Sequence, residues 1–143
     1  MGYTYLEDIT IADAAFRAEG QTLPELFTWA ALALTNVMVR TLDRVEPKVE
    51  HEITLQADDV ERLLYDFLQE LIFLKDAELL LFSRYEVSIR TLPEGYQLQA
   101  KAYGEPLSIQ KHDLVVDVKA VTMHRYEVTQ TSTGWEATVV LDI

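Results

Sequence analysis

The sequence predicts an α+β fold: a single two-layer domain with two main helices packed on a mixed, mostly antiparallel sheet. Two segments repeat apolar residues at helical spacing, most of the remaining chain alternates apolar and polar residues, and short turns join several of the alternating runs. The chain has 143 residues, which fits one domain of about 100–200 residues. Because no repeat or linker divides it, we assign residues 1–143 to one domain.

The first helix is predicted from Thr22 to about Leu42. Thr22 and Glu25 have capping-box spacing, in which a hydroxyl and a carboxylate satisfy free amides of the first turn. Pro24 falls in that turn, where a missing amide hydrogen costs nothing. Few polar residues follow, so we expect this helix to be buried around much of its circumference.

The second helix is predicted from Asp58 to about Lys75. Asp58 is the expected cap and Glu61 has the capping-box position. Apolar residues then recur at i, i+3, i+4 and i+7, which is typical of an amphipathic helix lying on an apolar surface. These residues are Val60, Leu63, Leu64, Phe67, Leu68, Leu71 and Ile72.

The remaining segments have the alternation of strands. Turns are expected at Pro93-Glu94-Gly95 and Ser132-Thr133-Gly134, and hairpins of this kind imply antiparallel pairing. The predicted strands are Tyr3–Glu7, Ala14–Ala18, Lys48–Gln56, Leu79–Thr91, Gln97–Tyr103, Val115–Met123, Tyr126–Thr131 and Trp135–Ile143.

Charge and composition exclude several classes of function. Twelve basic and 24 acidic residues give a net charge of −12, which argues against direct binding to nucleic acids or to anionic membranes. Without cysteine the chain has no disulfide, thiolate zinc site or cysteine nucleophile. The longest apolar stretch, residues 27–39, is too short to span a bilayer, and no signal peptide is evident. We therefore expect a cytoplasmic protein.

Strand parity brings several polar residues to one face. If the helices cover the apolar face, Asp13, Asp117, Lys119 and Asp142 project from the opposite one. Ile143 follows Asp142 and is expected to carry the terminal carboxylate. Asp13, Asp142 and Ile143 would supply three hard oxygen donors, which suit Ca²⁺ or Mg²⁺. The same pattern also fits a solvated strand end.

Other candidates have weaker support. Asp8, Glu105 and His124 complete the set of candidate residues, with Asp117 also in this weaker group. The three histidines are far apart in sequence and lack metal-ligand spacing, and His112 lies in a polar stretch where we expect it to be solvated. No nucleophile elbow, phosphate-binding loop or dinucleotide fingerprint is present.

Six segments together resemble the archease family over essentially the whole chain. The pairing of Val-Lys-Ala-Val-Thr with a C-terminal Leu-Asp-Ile is the most specific part of the resemblance, and Ile11, between Thr10 and Ala12, is a departure from it. The segments are Asp8–Asp13, Thr22–Phe27, Leu81–Arg84, Ala102–Pro106, Asp117–His124 and Val139–Ile143.

The resemblance implies a non-enzymatic protein cofactor of the GTP-dependent RtcB-type RNA ligase, which acts in tRNA splicing and RNA repair. Such proteins promote guanylylation of the ligase and its multiple turnover. The family's metal-binding positions map to Asp13, Asp142 and Ile143, and its required lysine maps to Lys119. The implied cofactor is a divalent metal ion and the implied partner is the ligase.

Two other classes of function stay open at this point. One is a metal-dependent phosphoester hydrolase that uses Asp13, Asp142 and Glu105, although no positioned general base is evident. The other is a chaperone-like protein-interaction module without a metal.

Overall fold

The computed structural model describes residues 2–6 and 13–143. The helices are α1 (Leu23–Met38) and α2 (Val60–Glu78), and a short 3₁₀ turn covers Leu42–Arg44. The strands, in chain order, are β1 (Gly2–Leu6), β2 (Asp13–Gly20), β3 (Val49–Ala57), β4 (Leu80–Leu92), β5 (Gly95–Pro106), β6 (Ala120–Thr131) and β7 (Gly134–Asp142).

The strands form two antiparallel sheets in the described part of the chain. One sheet has the order β1-β2-β7-β6 and the other has the order β3-β5-β4. Two helices packed on antiparallel sheets confirm the predicted α+β class. The division into two sheets was not anticipated. Helix α1 packs against both sheets, through β2 of one and β4 of the other. As predicted, α1 is buried on much of its surface.

The two helices begin at side-chain caps. The Thr22 hydroxyl accepts a hydrogen bond from the Glu25 amide at 3.3 Å, as the capping-box spacing predicts. In α2 the cap is Asp59 rather than Asp58, and its carboxylate accepts from the Arg62 amide at 2.7 Å. α1 ends at Met38, earlier than predicted, since Val39 adopts an extended conformation and forms a β-bridge.

The predicted strand Val115–Met123 is wrong in its first half. Residues 115–119 are not part of a strand, and β6 begins at Ala120. The backbone of this segment finds other partners: the Val115 amide donates to the Met38 carbonyl at 2.8 Å, and the Lys119 amide donates to the Asp142 carbonyl at 2.8 Å. The predicted alternation persists, with Val118 buried and Lys119 exposed.

Candidate functional site

One corner of the four-stranded sheet brings three predicted site residues together. Asp13, the first residue of β2, lies directly opposite Asp142, the last residue of β7. On the other side of β7, Asp142 is opposite Ala120, and Lys119 immediately precedes that residue. We define Asp13, Lys119, Asp142 and the adjoining Ile143 as the acidic corner.

Like charges occupy directly opposed positions in this corner. Directly paired residues of antiparallel strands have Cα atoms about 4.5–5.5 Å apart, and like charges at such positions destabilise a sheet. Asp142 is exposed and Asp13 is half-buried. The sheet face that carries Asp13 and Asp142 is less open than predicted. Ala15 and Val140 are paired on this same face, and both are buried.

Lys75 holds the segment that leads to Lys119. Its residue is only 4% exposed, and its ammonium group donates to the Val118 carbonyl at 2.8 Å. The same group pairs with Asp117 and, at 2.7 Å, with Asp76. Burial lowers the pKa of Lys75, but the hydrogen bonds to Asp117 and Asp76 outweigh it, so the net pKa is raised and the side chain stays charged. Asp117 therefore has a structural partner.

A second side chain of α2 fixes the edge of β6. The Gln69 side-chain oxygen accepts a hydrogen bond from the Val121 amide at 2.7 Å. Further along, the Tyr126 hydroxyl donates to the Glu61 carbonyl at 2.6 Å, and the Tyr126 ring packs edge-on against Tyr65. Helix α2 thus lies along this edge strand and satisfies the Val121 amide, a backbone group of the kind that an edge otherwise exposes.

β6 contains a bulge of several residues next to the acidic corner. Its pairing with β7 jumps from Thr122 to Glu127, so extra residues bulge out of the ladder, and Arg125 adopts a left-handed conformation (φ 56°). His124 lies exposed in this bulge, and its backbone amide donates to the Thr122 hydroxyl at 3.2 Å. The prediction of separate strands around residues 124–125 reflects this interruption.

Glu105 belongs to a different cluster, in the three-stranded sheet. It is opposite Leu81 on β4, and its carboxylate accepts from the Glu46 amide, from Lys111 and from His112, each at 2.9 Å. Burial raises the pKa of Glu105, but these donors outweigh it and lower the pKa to about 2. The structure places Glu105 as an anchor of the β5–β6 connection and not beside Asp142.

His112 is buried, so the expectation of a solvated side chain is wrong. Its ring is inaccessible to solvent. The Ser108 amide donates to Nδ1 at 2.9 Å, which leaves the proton on Nε2, and Nε2 donates to Glu105. The polar residues around His112 gave no sign of this burial, because the partner carboxylate comes from the preceding strand.

Two further observations concern the metal and the membrane. Within residues 2–6 and 13–143, no group of three histidine, aspartate or glutamate side chains is placed to hold a metal ion. Asp8 lies outside the described residues. No helix in the described ranges is long and apolar enough to cross a membrane.

Comparison with known proteins identifies the family. Residues 3–143 match the Archease protein family (MTH1598/TM1083). The chain belongs to the archease family. The archease of Pyrococcus abyssi is 41% identical over 133 residues, covering 92% of this chain and 93% of that protein. The archease of Methanosarcina mazei is 39% identical over 142 residues, covering 99% and 95%. The expected family resemblance is thereby confirmed.

Solved structures of archease relatives share the fold. The solution structure of Methanobacterium thermoautotrophicum protein 1598 is 38% identical, has a TM-score of 0.86, and the match covers 99% of both chains. A Thermotoga maritima crystal structure, named "an archease, possible chaperone", has a TM-score of 0.59 at 18% identity, covering 96% of this chain and 97% of that one. The second likeness supports the fold alone.

Proposed function

We propose that this archease-family protein activates an RtcB-type RNA ligase in tRNA splicing and RNA repair, promoting guanylylation of the ligase without being an enzyme itself. The observation that carries the proposal is the acidic corner. Asp13, Lys119 and Asp142, the positions to which the family resemblance assigns function, come from three distant parts of the chain and meet at one sheet corner.

Charge supports a protein partner of opposite sign. A ligase that binds RNA and GTP must be electropositive around its active site, and a chain of net charge −12 is attracted to such a surface. Under this proposal, the chain is an acidic protein that assists an RNA-joining enzyme without binding RNA directly, and it acts in the cytoplasm.

The corner also suits a divalent metal ion. Asp13 and Asp142 offer hard carboxylate oxygens at opposed positions, the donor type that Ca²⁺ and Mg²⁺ prefer, and Ile143 is the proposed third ligand. When bound, the ion supplies positive charge that offsets the repulsion between the two carboxylates. The chain's own part is to hold these carboxylates and Lys119 in a fixed arrangement at the docking surface.

The test is a guanylylation assay of a cognate RtcB-type ligase, with and without the protein. We expect stimulation by the wild type and its loss in Asp13→Asn, Lys119→Ala and Asp142→Asn. Glu19→Gln is the matched control, because Glu19 opposes Glu136 on the same two strands at the far end of the pairing. No stimulation by the wild type, or full stimulation by all three variants, would refute the proposal.

Metal binding has its own readout. Ca²⁺ or Mg²⁺ should raise the melting temperature of the wild type and of Glu19→Gln by mass action, and should leave Asp142→Asn unchanged. A melting temperature insensitive to both ions and to EDTA contradicts the metal site. With the ligase result also negative, it would favour the metal-free interaction module.

The hydrolase alternative has less support. It requires Asp13, Asp142 and Glu105 to act together, whereas Glu105 lies in the other sheet and its carboxylate oxygens are engaged by Lys111, His112 and a backbone amide. Phosphoester turnover by the isolated protein would revive this alternative.

A further inference from the structure

Lys119 lies in the chain just before the edge strand of its sheet. β6 begins at the next residue, Ala120, and is the last strand in the order β1-β2-β7-β6. An edge strand has a strand partner on one side only, so backbone groups on its other side need partners from elsewhere. The groups that supply these partners determine how firmly the backbone around Lys119 is held.

The peptide group on the N-terminal side of Lys119 is held at both of its polar atoms. The Val118 carbonyl oxygen accepts from the Lys75 ammonium group at 2.8 Å, and the Lys119 amide donates to the Asp142 carbonyl at 2.8 Å. Because this carbonyl and this amide belong to one planar peptide unit, the two hydrogen bonds fix the orientation of its plane.

Gln69 holds the peptide group between Ala120 and Val121. Its side-chain oxygen accepts from the Val121 amide at 2.7 Å. The Val121 side chain is buried, and the residue lies opposite Leu141 of β7, so Gln69 adds support from the helix to a residue that β7 already contacts. Two fixed peptide planes therefore flank Lys119 and Ala120, and only the few backbone dihedral angles between these planes remain free.

Removal of the Gln69 acceptor would take away one of these two supports. The Val121 amide would be left as a donor without a partner, which is unfavourable in a partly buried position. It regains a partner only if the peptide group turns towards water. That rotation changes the backbone angles of Ala120 and Lys119, so the loss of a contact at residue 121 is transmitted to residue 119.

We propose that Gln69 is a positioning residue for Lys119 and that it acts in ligase activation through the backbone of residues 119–121. The proposal rests on the proposed function and deepens it by adding a residue of α2 to the acidic corner. Since Gln69 carries no charge, its loss leaves the electrostatic attraction to a basic partner unchanged. The expected consequence is a complex with the ligase that forms as before but is less active.

The first experiment titrates the wild type, Gln69→Leu and Gln69→Glu into the guanylylation assay. We expect Gln69→Leu to lower the maximal stimulation about threefold or more, with a half-maximal concentration within about twofold of the wild type. Gln69→Glu keeps an acceptor oxygen at the same position in the side chain, so it should retain at least about half of the maximal stimulation.

Tyr126→Phe is the matched control. It removes another hydrogen bond between α2 and β6, from the Tyr126 hydroxyl to the Glu61 carbonyl at 2.6 Å, on the far side of the bulge from Lys119. This variant should stimulate the ligase like the wild type. An equal loss of maximal stimulation in Tyr126→Phe and Gln69→Leu would show that any loosening of α2 lowers activity, and this overturns the proposal.

Amide hydrogen exchange tests the positioning without the ligase. Gln69→Leu should speed exchange about fivefold at the Val121 amide and also at the Lys119 amide, whereas Gln69→Glu and Tyr126→Phe should leave both close to the wild type. Faster exchange at Val121 with unchanged protection at Lys119 overturns the proposal, and so does full maximal stimulation by Gln69→Leu. Absence of stimulation by the wild type overturns the proposed function, and with it the role in activation, while exchange at Lys119 still decides whether Gln69 positions this residue.

Discussion

Replacement of Lys75 by methionine tests whether a buried ammonium group orders the approach to the acidic corner. Methionine keeps most of the side-chain length but removes the charge and all donors. The Val118 carbonyl then loses its 2.8 Å hydrogen bond, and the exposed carboxylates of Asp76 and Asp117 lose their shared partner. We expect both lower stability and weaker activation of the ligase.

The magnitude follows from the separate contacts. A buried carbonyl left without a donor costs about 1–3 kcal/mol. The two carboxylates return to water, so each lost pair costs about 0–1 kcal/mol. Burying a thioether in place of an ammonium group offsets part of this loss. The net loss is about 1–3 kcal/mol, which for a chain of this size lowers the melting temperature by about 3–9 °C.

Two measurements test this prediction: thermal unfolding of the variant, and its stimulation of ligase guanylylation. Asp76→Asn is the matched control, because it removes one exposed partner of Lys75 and keeps the bond to Val118. It should lower the melting temperature by no more than about 3 °C. A Lys75→Met variant that melts within 1 °C of the wild type and activates the ligase fully would refute this reasoning.

Three further predictions concern the scaffold. Glu105→Gln should cost about 3 kcal/mol in urea unfolding, because it leaves buried donors without a charged acceptor. Since the pKa of Glu105 is lowered to about 2, its carboxylate stabilises the fold above the unfolded-state pKa near 4.3 and loses this effect as the pH falls towards 2, so Glu105→Gln should flatten that part of a stability profile. Gly104→Ala should cost about 3 kcal/mol or prevent folding, as its Cβ would lie 1.7 Å from the Leu81 carbonyl oxygen. Gln69→Leu should accelerate hydrogen exchange at the Val121 amide, and unchanged protection there would contradict the edge bond.

Local signals predicted the elements that local interactions determine. The capping pair of Thr22 and Glu25 marks the start of α1, and the apolar spacing of residues 60–72 predicts α2 with its buried face. The predicted ends of the helices are off by one to four residues, and the largest shift, at the end of α1, has a simple cause. Val39 leaves the helix because a distant residue, Leu114, bridges to it, and no local pattern contains that information.

Long-range partners account for what the sequence pattern missed. Residues 115–119 alternate like a strand, yet their backbone bonds go to Met38, Lys75 and Asp142. A signal for Lys75 was present, since it follows Leu71 and Leu68 on the apolar stripe of α2, where a lysine is unexpected. For the candidate site, parity alone grouped Asp13 with Asp142, but the register that makes them opposite neighbours is a property of the folded sheet.

Lys75 and Lys119 both lie next to Val118, but their environments differ. The Lys75 side chain is buried. Its charged ammonium group contacts Asp76, Asp117 and the Val118 carbonyl, and so holds residues 117 and 118. Lys119 is exposed, and its amide donates to the Asp142 carbonyl, so its backbone is held in place beside the corner. In a chain with twice as many acidic as basic residues, a cation placed among carboxylates is a local exception to the charge of the surface. Under the proposed function, a partner recognises this cation only if its position is constant, and we expect Lys75 to keep it constant by holding residues 117 and 118.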